Sequence, residues 1–329
     1  QGMGMSTYLG GAWGTTEKNY NKINFTDFNK EALKETVVGG WAAIVQHYFV
    51  AAWIPDAKAK NHFTSRANDK GEYFIGFSSP DITVNAGMQN SISAKLYAGP
   101  KIQDELAKLS TGLDLTVDYG WLWFIAQFLF WLLKNIHGFL GNWGWSIVGL
   151  TIVVKLAFFH LSATSYKSMA NMRRVAPEMQ RIKEQYGSDR QKTSQAMMDL
   201  YKKEKINPVS GCLPMLVQMP VFLALYWTLM ESVELRHAPW LLWITDLAAM
   251  DKYFVLPLIM GATMYIQQLL NPQPTDPMQA KVLKIMPIMF TAFMLFFPSG
   301  LVLYWVVNNT LSIIQQWVIT RQIEGAKAK

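Results

Sequence analysis

Hydrophobic and polar residues alternate in short runs over roughly the first third of this 329-residue chain, and they do so in a different way afterwards. Up to about residue 118 the runs include Tyr73 to Phe77 and Ser91 to Tyr97, separated by clusters of Gly, Asn, Asp and Pro. A period of two with turn residues between runs predicts half-buried antiparallel strands, and so a sandwich or partial sandwich. Residues 100–109 (PKIQDELAKL) leave that period: Pro stands where a helix would start and apolar positions fall at helical spacing, predicting a short helix that closes the domain.

At Trp121 the character changes. Residues 121–133 are apolar without interruption, but at about 1.5 Å per residue they reach only roughly 20 Å, short of a hydrocarbon core of roughly 30 Å. They are expected to lie in the membrane interface, with Lys134 and His137 toward water; a spanning helix here would reverse every later orientation. Better spans are expected at 143–162, 213–231, 253–270, 285–299 and 300–319, the last two divided by Pro298, Ser299 and Gly300 in a tight turn. Between the first two, 166–184 and 190–204 show helical spacing broken at Gly187, Ser188 and Asp189, with Pro208 following, which predicts an antiparallel helical hairpin. Met169, Met172, Met179, Met197 and Met198 give the hairpin an apolar face, and Arg173, Arg174, Arg181, Lys202 and Lys203 a basic one. The methionines either pack against one another or offer an adaptable surface to nascent chains or RNA-rich partners. The fold class expected is an α-helical polytopic membrane protein with a five-helix core and an N-terminal β-sandwich-like domain.

Composition explains an otherwise puzzling average. The chain is 51% hydrophobic and 16% charged, with 13 Trp, 18 Phe and 18 Met, yet its mean hydropathy is only +0.10. A polar domain and an apolar one are being averaged. The net charge of +7 is unevenly placed: residues 163–212 carry ten Lys and Arg, 271–284 add Lys281 and Lys284, and the tail adds Arg321, Lys327 and Lys329, against only Arg236 and Lys252 in 232–252. The positive-inside rule makes the first group cytoplasmic, the second external, the C-terminus cytoplasmic and the strand-rich domain external. That topology requires an earlier anchor, and a start at Gln1 suggests the processed or truncated remainder of a longer protein. A single cysteine, Cys212, excludes an intrachain disulfide, and the five dispersed histidines have no zinc spacing, so no metal or other cofactor is expected.

Lys155 lies near the middle of the 143–162 stretch. A central Lys costs about 2.5–3.5 kcal/mol to insert, so it needs water or a partner. No Asp or Glu lies in the body of any span to neutralise it, which leaves a wet cavity or snorkelling to one interface. Polar residues accompany it: Thr151 and Ser162 on its own face, Gln218, Thr263 and Gln267 on other spans, and Trp305, Asn308, Ser312 and Gln315 at i, i+3, i+7 and i+10 of the last. Catalysis is not expected. There is no Gly-rich phosphate loop and no HExxH, and Ser299, which could be paired only with His160, belongs to a turn that it would shape. A proton-coupled small-solute carrier is the rival reading, although it would normally place carboxylates or broken half-helices at mid-membrane.

Four blocks of residues now carry a resemblance: NPVSGCLPMLVQMPVFLALYWTLMESVELR (207–236), FPSGLVLYW (297–305), TDPMQAK (275–281) and DLTVDYGWLWF (114–124). In this order and spacing they resemble the YidC/Oxa/Alb family of membrane protein insertases, over essentially the whole chain. The resemblance implies a periplasmic sandwich-like domain at 1–118, an interfacial helix at 119–141, and a five-helix core at 142–329 whose cytoplasmic hairpin occupies 163–206. It also implies an inner-membrane protein that inserts and helps fold nascent membrane proteins through a hydrophilic groove open to the cytoplasm, alone or beside the general secretion channel. Ribosomes are a further implied partner, and sequence-specific nucleic-acid binding is not implied. Lys155 stands where many members have Arg, which keeps the charge and loses the planar fork. Trp305 stands where many have a second Tyr.

Overall fold

The computed structural model describes residues 7–187, 189–204, 206, 213–271 and 277–325. Ser188, Pro208, Cys212, Lys327, Lys329 and the first residues of TDPMQAK lie outside them. The chain divides into two compact units, Gln1–Trp123 with Glu231–Glu234, and Phe124–Met230 with Leu235–Lys329.

Unit one contains β1 (Gly10–Gly14), β2 (Asn21–Asn24), β3 (Lys34–Val38), β4 (Trp41–Val45), β5 (Phe49–Pro55), β6 (Lys60–Ala67), β7 (Tyr73–Ser78), β8 (Ala94–Pro100) and helix α1 (Gln103–Leu109). The strands form two antiparallel sheets ordered β2-β1-β4-β5-β8 and β3-β6-β7. Alternation sets the faces: Val50, Ala52 and Ile54 of β5 point inward, as do Asn61, Phe63 and Ser65 of β6. The odd-numbered residues of β4, Trp41, Ala43 and Val45, pack with Leu106 of α1 and Leu113, while Ala42 packs with Leu33 and Phe63 of the second sheet. β4 is therefore covered on both faces, and the unit is a sandwich with a helix on its outer side.

Two boundaries differ from expectation. The run at Ser91–Tyr97 becomes strand only from Ala94, and Pro100 ends β8 instead of starting the helix. β8 is an edge strand, where proline is tolerated for want of a ladder partner. Gly112 holds φ +80° against the backbone of Asn19, where a side chain would collide, and leads into a 3-10 turn at Leu113–Thr116. Lys101 and Glu231 form an ion pair at 3.2 Å in which both side chains are almost wholly buried, and the same ammonium donates to the Thr116 carbonyl. The chain thus does bury an ion pair, at the edge of the 213–231 stretch.

Unit two contains α2 (Trp123–Leu140), α3 (Trp143–Ala157), α4 (Phe159–Tyr186), α5 (Arg190–Lys203), α6 (Leu213–Glu231), α7 (Val255–Leu270), α8 (Pro277–Met294) and α9 (Ser299–Gly325). Among the described residues no single helix is both long and apolar enough to cross a membrane; α3 and α4 together are, across a 68° bend, and Leu216–Glu231 and Val255–Leu270 are shorter apolar helices. The expected continuous helix at 143–162 is thus broken at Phe158. α2 outruns its apolar core: Ala126, Leu129, Phe130 and Leu133 form a packed stripe, while Trp123, Phe124, Phe128 and Trp131 are exposed on the other side. Thr228 of α6 donates to the Ala126 carbonyl.

The last two spans also shift. α8 already includes Lys281 and Lys284, and Ser299 opens α9 instead of lying in a turn. The orphan donors at that helix start are met by the segment between α6 and α7: Ser299 N–H by the Ala249 carbonyl at 2.7 Å and Gly300 N–H by the Leu247 carbonyl at 3.0 Å, while the Ser299 hydroxyl donates to the Asp246 carbonyl at 2.9 Å. α9 packs against α3, α4 and α7, and α7 meets α8 where Gly261 lies too close to Thr291 for any side chain.

Candidate functional site

Lys155 sits in the last turn of α3, not at mid-span, because the helix ends at Ala157. A cation there faces the partial negative charge of the helix C-terminus, which stabilises it without an acidic residue. Its ammonium donates to the Ser312 hydroxyl of α9 at 2.6 Å, and Ser312 in turn donates to the Asn308 carbonyl at 2.8 Å. Among the described residues no carboxylate pairs with Lys155. Ser312 is 3% exposed and Asn308 6%, so the amine is held against a packed face of α9. Three residues farther along α9, Gln315 donates to the Phe159 carbonyl at the bend between α3 and α4. Ser162, beyond that bend, is buried on α4 and does not continue the helix face of Lys155, whereas Thr151 is buried on α3 and donates to its own helix at Ile147.

The other predicted polar residues are distributed around α9. Gln218 of α6 donates to the Tyr304 hydroxyl. Trp305 stacks edge-on to Phe222 and obliquely on Phe290, and its indole N–H has no partner among the described residues. Thr263 of α7 receives a bond from Asn309, which neighbours Ser312 on α9, and Gln267 is half-buried one turn farther along α7. Asn309 and Gln316, which donates to the Leu270 carbonyl and to Asn271, form a second polar stripe. Their i, i+7 spacing was present in the sequence as a signal. Tyr166 of α4, 4% exposed with its hydroxyl in hydrogen-bonding range of Ser312, had none. His160 neighbours Phe159, the contact of Gln315, and Ser299 lies sixteen residues before Gln315 on α9, roughly 24 Å away along the axis. The two cannot act together.

In the hairpin, Val175, Met179 and Ile206 are buried, with Met172, Met197, Leu200 and Tyr201 packed on them. Three of the five methionines therefore close the hairpin itself; Met198 is exposed and Met169 half-buried. Arg174 pairs with Glu204 at 2.6 Å, Arg181 lies 3.9 Å from Glu178, and Arg173, Lys202 and Lys203 face solvent. Asp189 caps α5 by accepting from the Gln191 and Lys192 N–H groups, and the Lys192 bond holds its carboxyl below the usual range. Among the described residues no cluster of His, Cys, Asp and Glu is arranged for a metal.

Residues 135–327 match the family described as 60Kd inner membrane protein, and residues 1–132 match the YidC periplasmic domain. The chain is 66% identical over 325 residues to the membrane protein insertase YidC of Stutzerimonas stutzeri (strain A1501), covering 98% of this chain and 58% of that protein. It is 64% identical over 323 residues to the protein of the same name from Ectopseudomonas mendocina (strain ymp), covering 98% and 56% respectively. It therefore spans a little over half the length of the curated relatives it matches. Among solved structures it superposes on an active YidC insertase crystal structure with the first transmembrane domain resolved, at a TM-score of 0.53 and 20% identity, over 86% of this chain and 78% of that one. At that identity the likeness concerns the fold.

Proposed function

The chain belongs to the 60Kd inner membrane protein family, and from that premise we propose that it is an insertase that places nascent membrane proteins in the bilayer and helps them fold. One observation carries the reading: an ammonium group, Lys155, held among apolar helices by a buried hydroxyl and, among the described residues, without a countercharge. The relatives named above are insertases, and none is a solute carrier.

In this reading residues 1–118 form a periplasmic domain, 119–141 an interfacial helix and 142–329 a multi-pass core with its hairpin at 163–206 and its C-terminus in the cytoplasm. Lys155, Thr151, Ser162, Asn308, Ser312 and Gln315 contribute the polar side of a hydrated groove, and Gln218, Thr263, Gln267 and Trp305 add polar groups around the rest of α9. A client whose short external tail carries polar groups must take them across roughly 30 Å of hydrocarbon; hydration part of the way shortens that distance, and Lys155 attracts acidic groups. The client's apolar helix then passes into lipid along α6 and α8, whose Leu216, Met219, Ile288, Met289 and Phe293 are exposed. Burial of its apolar surface, at about 25 cal/mol per Å², drives that step without a nucleotide. The hairpin receives the chain first, through Met198, Met169 and its basic residues, with ribosomes and the secretion channel as further partners.

Purified chain in proteoliposomes tests this. Lys155→Glu is expected to block insertion of a single-span client with an acidic tail, and Lys155→Arg to preserve it. Equal insertion by wild type and both variants would sink the role of the charge.

A further inference from the structure

We propose that Ser312 is a positioning residue that fixes the ammonium of Lys155 without neutralising it, and that this tunes the site toward acidic client segments. The inference rests on the groove reading above. Its own basis is the polarity of three hydrogen-bonding groups. The Ser312 proton is committed to the Asn308 carbonyl at 2.8 Å, so its oxygen can only accept, and it accepts from Lys155 at 2.6 Å. Tyr166, buried on α4, sets its hydroxyl beside the same oxygen. One serine of α9 thereby joins α3 and α4 at the bend, and Gln315 fastens the bend from the next turn.

A hydroxyl in this place differs from a carboxylate in what it leaves behind. Aspartate at 312 would hold the amine as firmly and cancel its charge. Serine orients one N–H of the amine and leaves the full charge for an incoming acidic side chain. The bond also draws the long, flexible lysine stem to α9, so the charge is displayed at one point instead of snorkelling away.

The test uses the full chain in vesicles of phosphatidylethanolamine and phosphatidylglycerol, with two single-span clients whose tails carry either Asp or Asn. Ser312→Ala is expected to slow insertion of the Asp client about tenfold, the size of a hydrogen bond to a charged group, and to slow the Asn client much less. Ser312→Thr should restore the rate, and Ser312→Asp should erase the preference for Asp. A second readout does not depend on insertion: labelling of Lys155 by a membrane-permeant amine reagent at fixed pH, expected to quicken several-fold in Ser312→Ala and to return to the wild-type rate in Ser312→Thr. Unchanged labelling in Ser312→Ala, or an equal slowing of both clients, overturns the proposal. If Lys155→Gln inserts both clients like wild type while Ser312→Ala still alters labelling, the groove reading fails and the positioning role stands.

Discussion

Lys155 and Lys101 both bond their ammonium groups to other parts of the fold, and their partners differ in kind. Lys155 has a hydroxyl and a helix end; Lys101 has a carboxylate, Glu231, and the Thr116 carbonyl. Burial pushes the Lys101 ammonium below its usual pKa, and the neighbouring Glu231 carboxylate works against that shift. A buried pair contributes little net stability over an apolar substitute, but losing one member leaves the other charged and unpaired. Lys101→Met or Glu231→Gln alone is therefore expected to destabilise unit one by about 3–5 kcal/mol, and the double change Lys101→Met with Glu231→Leu to recover most of the loss. Hydrogen exchange of the β4 and β5 amides measures it; full protection in both single variants would contradict this account.

At the scale of elements, the hairpin gives the most direct check. Met179 is buried between α4 and α5 while Met198 is exposed. Met179→Ala should destabilise the hairpin by about 2 kcal/mol, at the low end for a buried methionine because the cluster is small, and Met198→Ala should leave it intact. Protease cleavage near Gly187 reads both. The strand character of unit one was legible where alternation survives, as in β5 and β6, and the two hairpin helices were legible because a single face of each is buried. The bend at Phe158 was not legible: the residues on either side, Ala157 and Phe159, include neither Gly nor Pro, and the bond that Gln315 of α9 makes to the Phe159 carbonyl is a contact between residues far apart in sequence. Of the candidate site, Lys155, Asn308, Ser312 and Gln315 were readable as polar residues on apolar helices. Thr263 and Gln218 turned out to face other neighbours because α9 is polar on more than one side. Asp251, which accepts from Trp243 Nε1 and from the Tyr253 and Leu256 N–H groups to start α7, gave no periodic signal at all.

For the whole molecule, alkaline pH bears on the stability of unit one. Burial, with Asp118 and Asp27 adding to it, pushes the Tyr8 hydroxyl up to about 12, and burial raises Tyr20 and Tyr119 as well. A folded pKa above the unfolded value means that the folded state holds its protons longer. The stability Tyr8 contributes is fully present below the ordinary tyrosine value near 10 and is lost as pH rises through about 12, and that of Tyr20 and Tyr119 is lost at still higher pH. Phenolate absorbance of these three tyrosines should appear only together with loss of unit-one structure, and Tyr8→Phe should soften the pH dependence; their ionisation near pH 10 in the intact fold would contradict it. Finally, unit one includes Glu231–Glu234, which are synthesised more than a hundred residues after Trp123. During translation at about 5–20 residues per second, the sandwich must wait on the order of 5–20 s for its last piece. Throughout that interval Lys101 lacks its carboxylate, so the order in which the chain emerges makes completion of the first unit depend on prior synthesis of α2 to α6.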